Sequence, residues 1–166
     1  MRLHVYGRAV LKVNAIACIK MVMTTPSDIS VRTWTLLIRA HNQALASVER
    51  TLKKNNLPPL IWYDILLELE RVGDKGLRPF ELERELLLPQ YGVSRLIERI
   101  EKDGHLRRDV CEDDKRGQRL IITKSGKRLR QLMWRTYGPA IEDVIGRKLK
   151  SEQSETLSEL LVKLTK

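Results

Sequence analysis

Apolar residues recur at steps of three and four through most of this chain, which is the period of an amphipathic helix. The pattern begins near residue 31 and is interrupted at residues 55–59, 73–76 and 88–89, where asparagine, glycine and proline are concentrated. Such residues are typical of turns. The pattern therefore predicts four helices in the first two thirds of the chain, over residues 31–55, 60–72, 79–87 and 90–103.

Two strand-like runs follow the fourth helix. Leu106–Cys111 and Gln118–Thr123 flank six residues, EDDKRG, that suit the tip of a hairpin. A helical pattern then returns from about Lys124 to Lys150. Pro139 is expected to kink this helix, because proline lacks the backbone N–H that the helix needs. A last helix is predicted to begin at Ser151.

Two short helices, a hairpin and a further helix within residues 77–129 are the element order of a winged helix-turn-helix. We therefore predict a mainly α fold with a winged helix-turn-helix DNA-binding domain at residues 57–129. The flanking helices, at residues 31–56 and 130–166, are more apolar than so small a domain needs. They predict a helical dimerisation lobe and a homodimer. The alternative is that they only cap a monomer.

Residues 1–30 are predicted to be a leader outside the folded domain, which occupies residues 31–166. The apolar run at residues 9–23 contains Lys12, Asn14 and Lys20, so it is too short and too charged to span a bilayer. No membrane partner is predicted. A disordered arm, or a translation start at Met21 or Met23, is favoured over a targeting signal.

The net charge of +10 is unevenly distributed. Residues 24–94 carry nine basic and nine acidic residues, whereas residues 95–130 carry twelve basic and seven acidic ones. A polyanion is therefore expected to bind at residues 95–130. Since a major groove admits one helix, the polar side of the fourth helix is predicted to contact base edges. The residues of this side are Gln90, Tyr91, Ser94, Arg95 and Arg99.

The hairpin carries the other predicted DNA contacts. Lys115 and Arg116 at its tip suit a minor groove, since narrow A·T tracts attract arginine, and Asp114 is placed to orient Arg116. The strand residues predicted to contact phosphates are Arg107, Arg108 and Arg119.

Three motifs resemble those of MarR-type regulators. Residues 114–123, DKRGQRLIIT, are similar to the family's wing signature, in which D-x-R is followed by five residues and L-T. Only Ile122 departs, standing in place of leucine. Residues 92–104 resemble the recognition helix with its closing glycine, and Arg108 stands where an arginine usually follows that helix. Thr123, Gly126 and Leu129 match T-x-x-G-x-x-L.

The resemblance covers residues from about 32 to 166 and implies a homodimer that binds a short palindrome and represses nearby genes. It also implies release of DNA by a small effector, phenolic for example, or by oxidation of a cysteine. His105 and the sequence Pro89-Gln90-Tyr91 depart from the family pattern, which puts the operator sequence in doubt.

The sensing site is less well marked. Trp34, His41, Trp62 and Tyr63 are candidates for a ligand cleft between the lobes, although aromatic residues at helical spacing more often belong to the core. Cys111 precedes three acidic residues, which disfavour a reactive thiolate, so oxidative sensing through it is not expected.

Other functional classes are less well supported. The consecutive carboxylates at residues 112–114 point in different directions on a hairpin tip, and no further acidic partner lies at a useful spacing for a metal. No G-x-S-x-G or P-loop is present, so neither an enzyme nor a cofactor is predicted. A winged module for protein contacts remains the alternative. Two distant cysteines, Cys18 and Cys111, suit a cytoplasmic protein.

Overall fold

The computed structural model describes residues 25–87, 92–110 and 117–165. Its elements, in chain order, are α1 (Asp28–Lys54), α2 (Leu60–Val72), a 3-10 turn (Gly73–Lys75), α3 (Pro79–Glu85), α4 (Val93–Lys102), β1 (Leu106–Val110), β2 (Gln118–Ile122), α5 (Lys124–Ile141), a π-helical turn (Glu142–Gly146) and α6 (Ser151–Thr165). The strands pair antiparallel, with Leu106 opposite Ile122. This order confirms the predicted mainly α fold with a winged helix-turn-helix.

Two helix ends lie away from their predicted positions. α1 begins at Asp28, three residues early, because the Ser27 side chain accepts a hydrogen bond from the Ser30 N–H at 3.2 Å and caps the helix. α4 begins at Val93, after Gly92 with a left-handed φ of 86°. The predicted start of that helix at Gln90 lies outside the described residues.

The helix after the hairpin differs most from its prediction. α5 continues through Pro139 to Ile141, and regular α-helix does not extend to Lys150. A π-helical turn follows instead, in which the Arg147 N–H donates to the Glu142 carbonyl, five residues back, at 2.9 Å. The interruption therefore falls on the C-terminal side of the proline.

The core surrounds α2, nine of whose thirteen residues are buried. Its neighbours contribute fully buried apolar side chains, which are Leu52, Leu82, Ile97, Ile100, Leu106, Leu120 and Met133. Phe80 does not belong to this core, since it is 50% exposed. Residues two apart on a helix point about 200° from each other. Leu82 occupies the inward position on α3, so Phe80 faces outward, where the Arg84 guanidinium lies 5.6 Å from its ring centre.

Large apolar side chains remain exposed on α1 and α6. They are Ile29, Val31, Trp34, Leu36 and Ile38 on α1, and Leu157, Leu160, Leu161, Val162 and Leu164 on α6. The apolar stripe predicted for the last helix is therefore present but uncovered in a single chain. In the part of the chain that the structure describes, no helix is long and apolar enough to cross a membrane.

Candidate nucleic-acid interface

The buried side of α4 fixes the direction in which its polar side chains point. Val93, Ile97 and Ile100 follow steps of four and three and are at most 5% exposed. Ser94, Arg95 and Arg99 therefore lie on the opposite side, and all three are exposed. The structure thus brings these three predicted contact residues together on one surface. Gln90 and Tyr91 lie outside the described residues.

The wing is held against the core through β2. Leu120 and Ile122 are buried, and Leu120 also exchanges two backbone hydrogen bonds with Leu77, of 2.8 and 3.1 Å. On β1, the exposed Arg107 forms an ion pair with Asp109 of the same strand. The predicted tip residues Asp114, Lys115 and Arg116, and also Cys111, lie outside the described residues.

The other two predicted phosphate contacts, Arg108 and Arg119, also have partners within the protein. Arg108 Nε lies 2.9 Å from Glu101 Oε2 at the end of α4, and Arg108 Nη1 donates to Gln118 Oε1 at 3.3 Å. Arg119 Nη1 donates to the Lys75 carbonyl at 3.0 Å. These guanidinium groups connect the wing to α4 and to the 3-10 turn.

The turn between α4 and β1 packs against the start of α5. Thr123 caps α5, because its Oγ1 accepts from the Gly126 N–H at 3.1 Å. The same hydroxyl donates to the Gly104 carbonyl at 2.8 Å. His105 hydrogen-bonds Ser125 through Nδ1 at 3.0 Å. His105, which departs from the family pattern, therefore helps to join the turn after α4 and the wing to α5.

A pocket of about 230 Å³ opens between α1, α2 and the end of α5. Polar groups reach it from four residues, His41, Tyr63, Asp64 and Tyr137. The remaining lining is apolar and consists of Ala44, Leu45, Val48, Leu60, Leu67, Leu87, Ile141, Val144 and Ile145. Such a mixture suits a small, mostly apolar molecule.

The pocket contains only part of the predicted ligand set. His41 and Tyr63 line it. Trp62 instead lies 4% exposed in the core, with its ring edge-on to His105, and Trp34 is 65% exposed on α1. The structure therefore does not bring the four predicted residues together.

The pocket also contains two polar residues, Asp64 and Tyr137, that were not predicted. Asp64 is 4% exposed, and its Oδ2 accepts a hydrogen bond from the Leu87 N–H at 2.8 Å. The sequence signal for Asp64 was available, since it is the single charged residue in the run LIWYDILL. Tyr137 contacts Tyr63 edge-on, with ring centres 5.1 Å apart. Burial raises the pKa of the Tyr137 hydroxyl above its ordinary 10.0, with smaller contributions from Tyr63 and Asp64.

The family model of the MarR family matches residues 55–117. That range contains α2, α3, α4 and β1, together with the hairpin tip. Residues 55–117 are thus similar to the MarR family.

Solved structures extend the likeness beyond residues 55–117. A structure of Sco3205, a MarR family transcriptional regulator from Streptomyces coelicolor in complex with DNA, has a TM-score of 0.75 and 25% identity, and the match covers 85% of this chain and 92% of that one. A MarR mutant from E. coli complexed with operator DNA has a TM-score of 0.70 and 18% identity, with 82% and 95% covered.

A third solved structure concerns regulation by a small molecule. This structure is of BpsR from Bordetella bronchiseptica, and it concerns the regulation of the DNA binding of BpsR by 6-hydroxynicotinic acid. It has a TM-score of 0.72 and 20% identity. The match covers 85% of this chain and 98% of BpsR. Among curated proteins, none matches the sequence. In the described residues, no group of three metal-ligating side chains occurs.

Proposed function

We propose that this chain is a transcriptional regulator that binds double-stranded DNA through α4 and the wing. The observation that carries the proposal is the exposed side of α4, where Ser94, Arg95 and Arg99 stand opposite a fully buried side. A helix anchored in this way can enter a major groove with these side chains directed at base edges. DNA-bound structures of Sco3205 and of the MarR mutant support the same use of the fold.

The charge distribution supports an anionic partner at this surface. Residues 95–130 carry five more basic than acidic residues, while residues 24–94 are balanced. Binding driven by phosphate contacts releases counterions, so its affinity falls steeply with salt. We propose that the protein acts in this way in the cytoplasm and has no enzymatic activity.

The test is fluorescence polarisation with duplex DNA from the region upstream of the protein's own gene. Arg95→Ala is expected to weaken binding by about 1–3 kcal/mol if Arg95 contacts a base, and to reduce the salt slope by about 1 if it contacts a phosphate. Arg147→Ala is the matched control, because it removes an equal charge from an exposed side chain directly after the π-helical turn. Failure of the wild-type protein to bind at low salt would instead favour a winged module for protein contacts.

We also propose a homodimer that binds a short palindrome and acts as a repressor. The exposed apolar residues of α1 and α6 support a second copy as the partner, since two-fold pairing covers the same surface on both chains. A two-fold protein places two recognition helices about one turn of DNA apart, and such sites are palindromic. Light scattering at micromolar concentration tests the dimer directly, and a monomer mass contradicts it.

The pocket supports regulation by a small effector. An apolar cavity of about 150 Å³ binds benzene, so about 230 Å³ accommodates one aromatic ring with short substituents. His41, Tyr63 and Tyr137 offer hydrogen-bonding groups to a phenolic molecule. Phenol and 6-hydroxynicotinic acid are suitable probes, and the expected result is release of labelled DNA together with a raised melting temperature of the free protein.

A further inference from the structure

We propose that Arg108 is a positioning residue, which holds the end of the recognition helix and the wing in one arrangement and does not act by contacting a phosphate. This inference rests on the DNA-binding role proposed above. It replaces the phosphate contact expected from the sequence with a role inside the protein, exerted through Glu101 and Gln118.

The Arg108 guanidinium lies where three elements meet. It belongs to β1, its Nε lies 2.9 Å from Glu101 Oε2 in the last turn of α4, and its Nη1 donates to Gln118 Oε1 at 3.3 Å on β2. The partner side chains are half-buried, with Arg108 30% and Glu101 36% exposed. A single cation therefore links both strands of the wing to the helix that precedes them.

Arg107 provides the contrast on the same strand. Its side chain is 54% exposed, and its ion-pair partner Asp109 belongs to β1 itself. Successive residues of a strand face opposite sides, so Arg107 points away from the contacts that Arg108 makes. The two neighbours carry equal charge, yet Arg107 links no other element through this pair. Arg107 is thus a matched control for Arg108.

The position of this link explains why it matters for binding. The buried anchors Ile97 and Ile100 hold the body of α4, but the chain then passes through Gly104, with a φ of 77°, into the wing. A site that must order two elements when it binds loses part of its binding free energy to that ordering. The Arg108–Glu101 pair orders the end of α4 and the wing before DNA binds, so that this cost of ordering is reduced.

Salt dependence distinguishes the two roles of Arg108. A phosphate contact adds about 1 to the slope of log affinity against log salt, whereas a positioning residue adds nothing to it. Arg108→Gln is therefore expected to lower affinity while leaving the salt slope unchanged. A slope reduced by about 1, with the free protein unaltered, would overturn the proposal.

The decisive experiment is a charge exchange. Arg108→Glu is expected to weaken DNA binding about tenfold, and adding Glu101→Arg to restore most of it, because the ion pair is rebuilt with opposite polarity. The control is Arg107→Glu with Glu101→Arg, which has the same net charge as the exchanged pair but does not rebuild the ion pair at Arg108. The gain from Glu101→Arg should be at least about fivefold larger in the Arg108→Glu background. Equal gains in the two backgrounds would show a general charge effect and overturn the positioning role.

Hydrogen exchange of the DNA-free protein supplies the second readout. The amides of Asp103 and His105, which donate to Arg99 and Ile100, are expected to exchange faster in Arg108→Glu and to recover protection in the exchanged pair. If the wild-type protein binds no DNA, the proposed function and this role both fail. If it binds DNA but the exchanged pair restores neither affinity nor protection, only the positioning role fails.

Discussion

A single methyl group at Gly126 tests how closely the wing packs against α5. A Cβ at this position would overlap the carbonyl oxygen of His105 and would lie 2.8 Å from Ile122 Cγ1, well inside ordinary contact at 3.4 Å. The obstacle is backbone and a buried side chain, which cannot rotate away as a flexible surface side chain can. Gly126→Ala therefore forces the start of α5 away from His105 and from β2.

The cost follows from the contacts that this movement disturbs. Overpacking of this kind costs about 1–3 kcal/mol, and the hydrogen bond from the Thr123 N–H to the His105 carbonyl, 3.1 Å long, contributes about 1 kcal/mol. Replacing a helical glycine by alanine returns about 0.5–1 kcal/mol. We expect a net loss of about 2 kcal/mol, which lowers the melting temperature by about 4–8 °C in a chain of this size.

The assay is thermal unfolding followed by circular dichroism at one protein concentration. Lys127→Ala is the control, because the next residue of the same helical turn is exposed and receives an identical side chain. It should leave the melting temperature nearly unchanged. If Gly126→Ala melts as high as Lys127→Ala, the described packing of α5 against His105 and β2 is incorrect.

Three further predictions concern the dimer, the wing tip and alkaline pH. Leu160→Glu should weaken dimerisation by about 2–3 kcal/mol, since a charge would enter an apolar interface. Ser158→Glu adds the same charge elsewhere on α6 and should leave dimerisation unchanged. Equal masses of the two variants in light scattering would contradict this. Arg116→Ala should weaken DNA binding by about 1–3 kcal/mol if Arg116 contacts a minor-groove base, and unchanged polarisation would exclude that contact. The pKa of Tyr137 is raised above 10.0 in the folded state, so above pH 10.0 the unfolded protein binds this proton less well than the folded protein does. The free energy of unfolding should therefore fall as the pH rises above 10.0. Tyr137→Phe should remove part of that decrease in urea titrations, and an unaltered pH profile would refute this contribution.

Local signals explain why most elements were predictable. α2 lies at its predicted bounds, because Pro59 precedes it and Gly73, with a φ of 61°, ends it. The stripe of Val93, Ile97 and Ile100 likewise fixed which side of α4 is exposed, from periodicity alone. Such signals depend on a few neighbouring residues, so a sequence displays them directly.

The contacts that the sequence did not indicate are those between distant residues. Arg119 donates to Lys75, forty-four residues away, and no local pattern distinguishes that contact from a phosphate contact. Trp62 and Tyr63 are adjacent, yet one packs against His105 and the other lines the pocket. Composition identifies such residues as candidates, whereas their partners follow from the assembled fold.

α5 runs from the pocket to the wing as one helix. Tyr137 and Ile141 line the pocket near its last turn, while Thr123 holds the Gly104 carbonyl at its first. Its 18 residues span about 27 Å, so a rotation of about 10° at the pocket end displaces the other end by about 5 Å. That displacement exceeds the length of a hydrogen bond. A small rotation at the pocket end would therefore move the turn between α4 and β1 further than it moves the pocket.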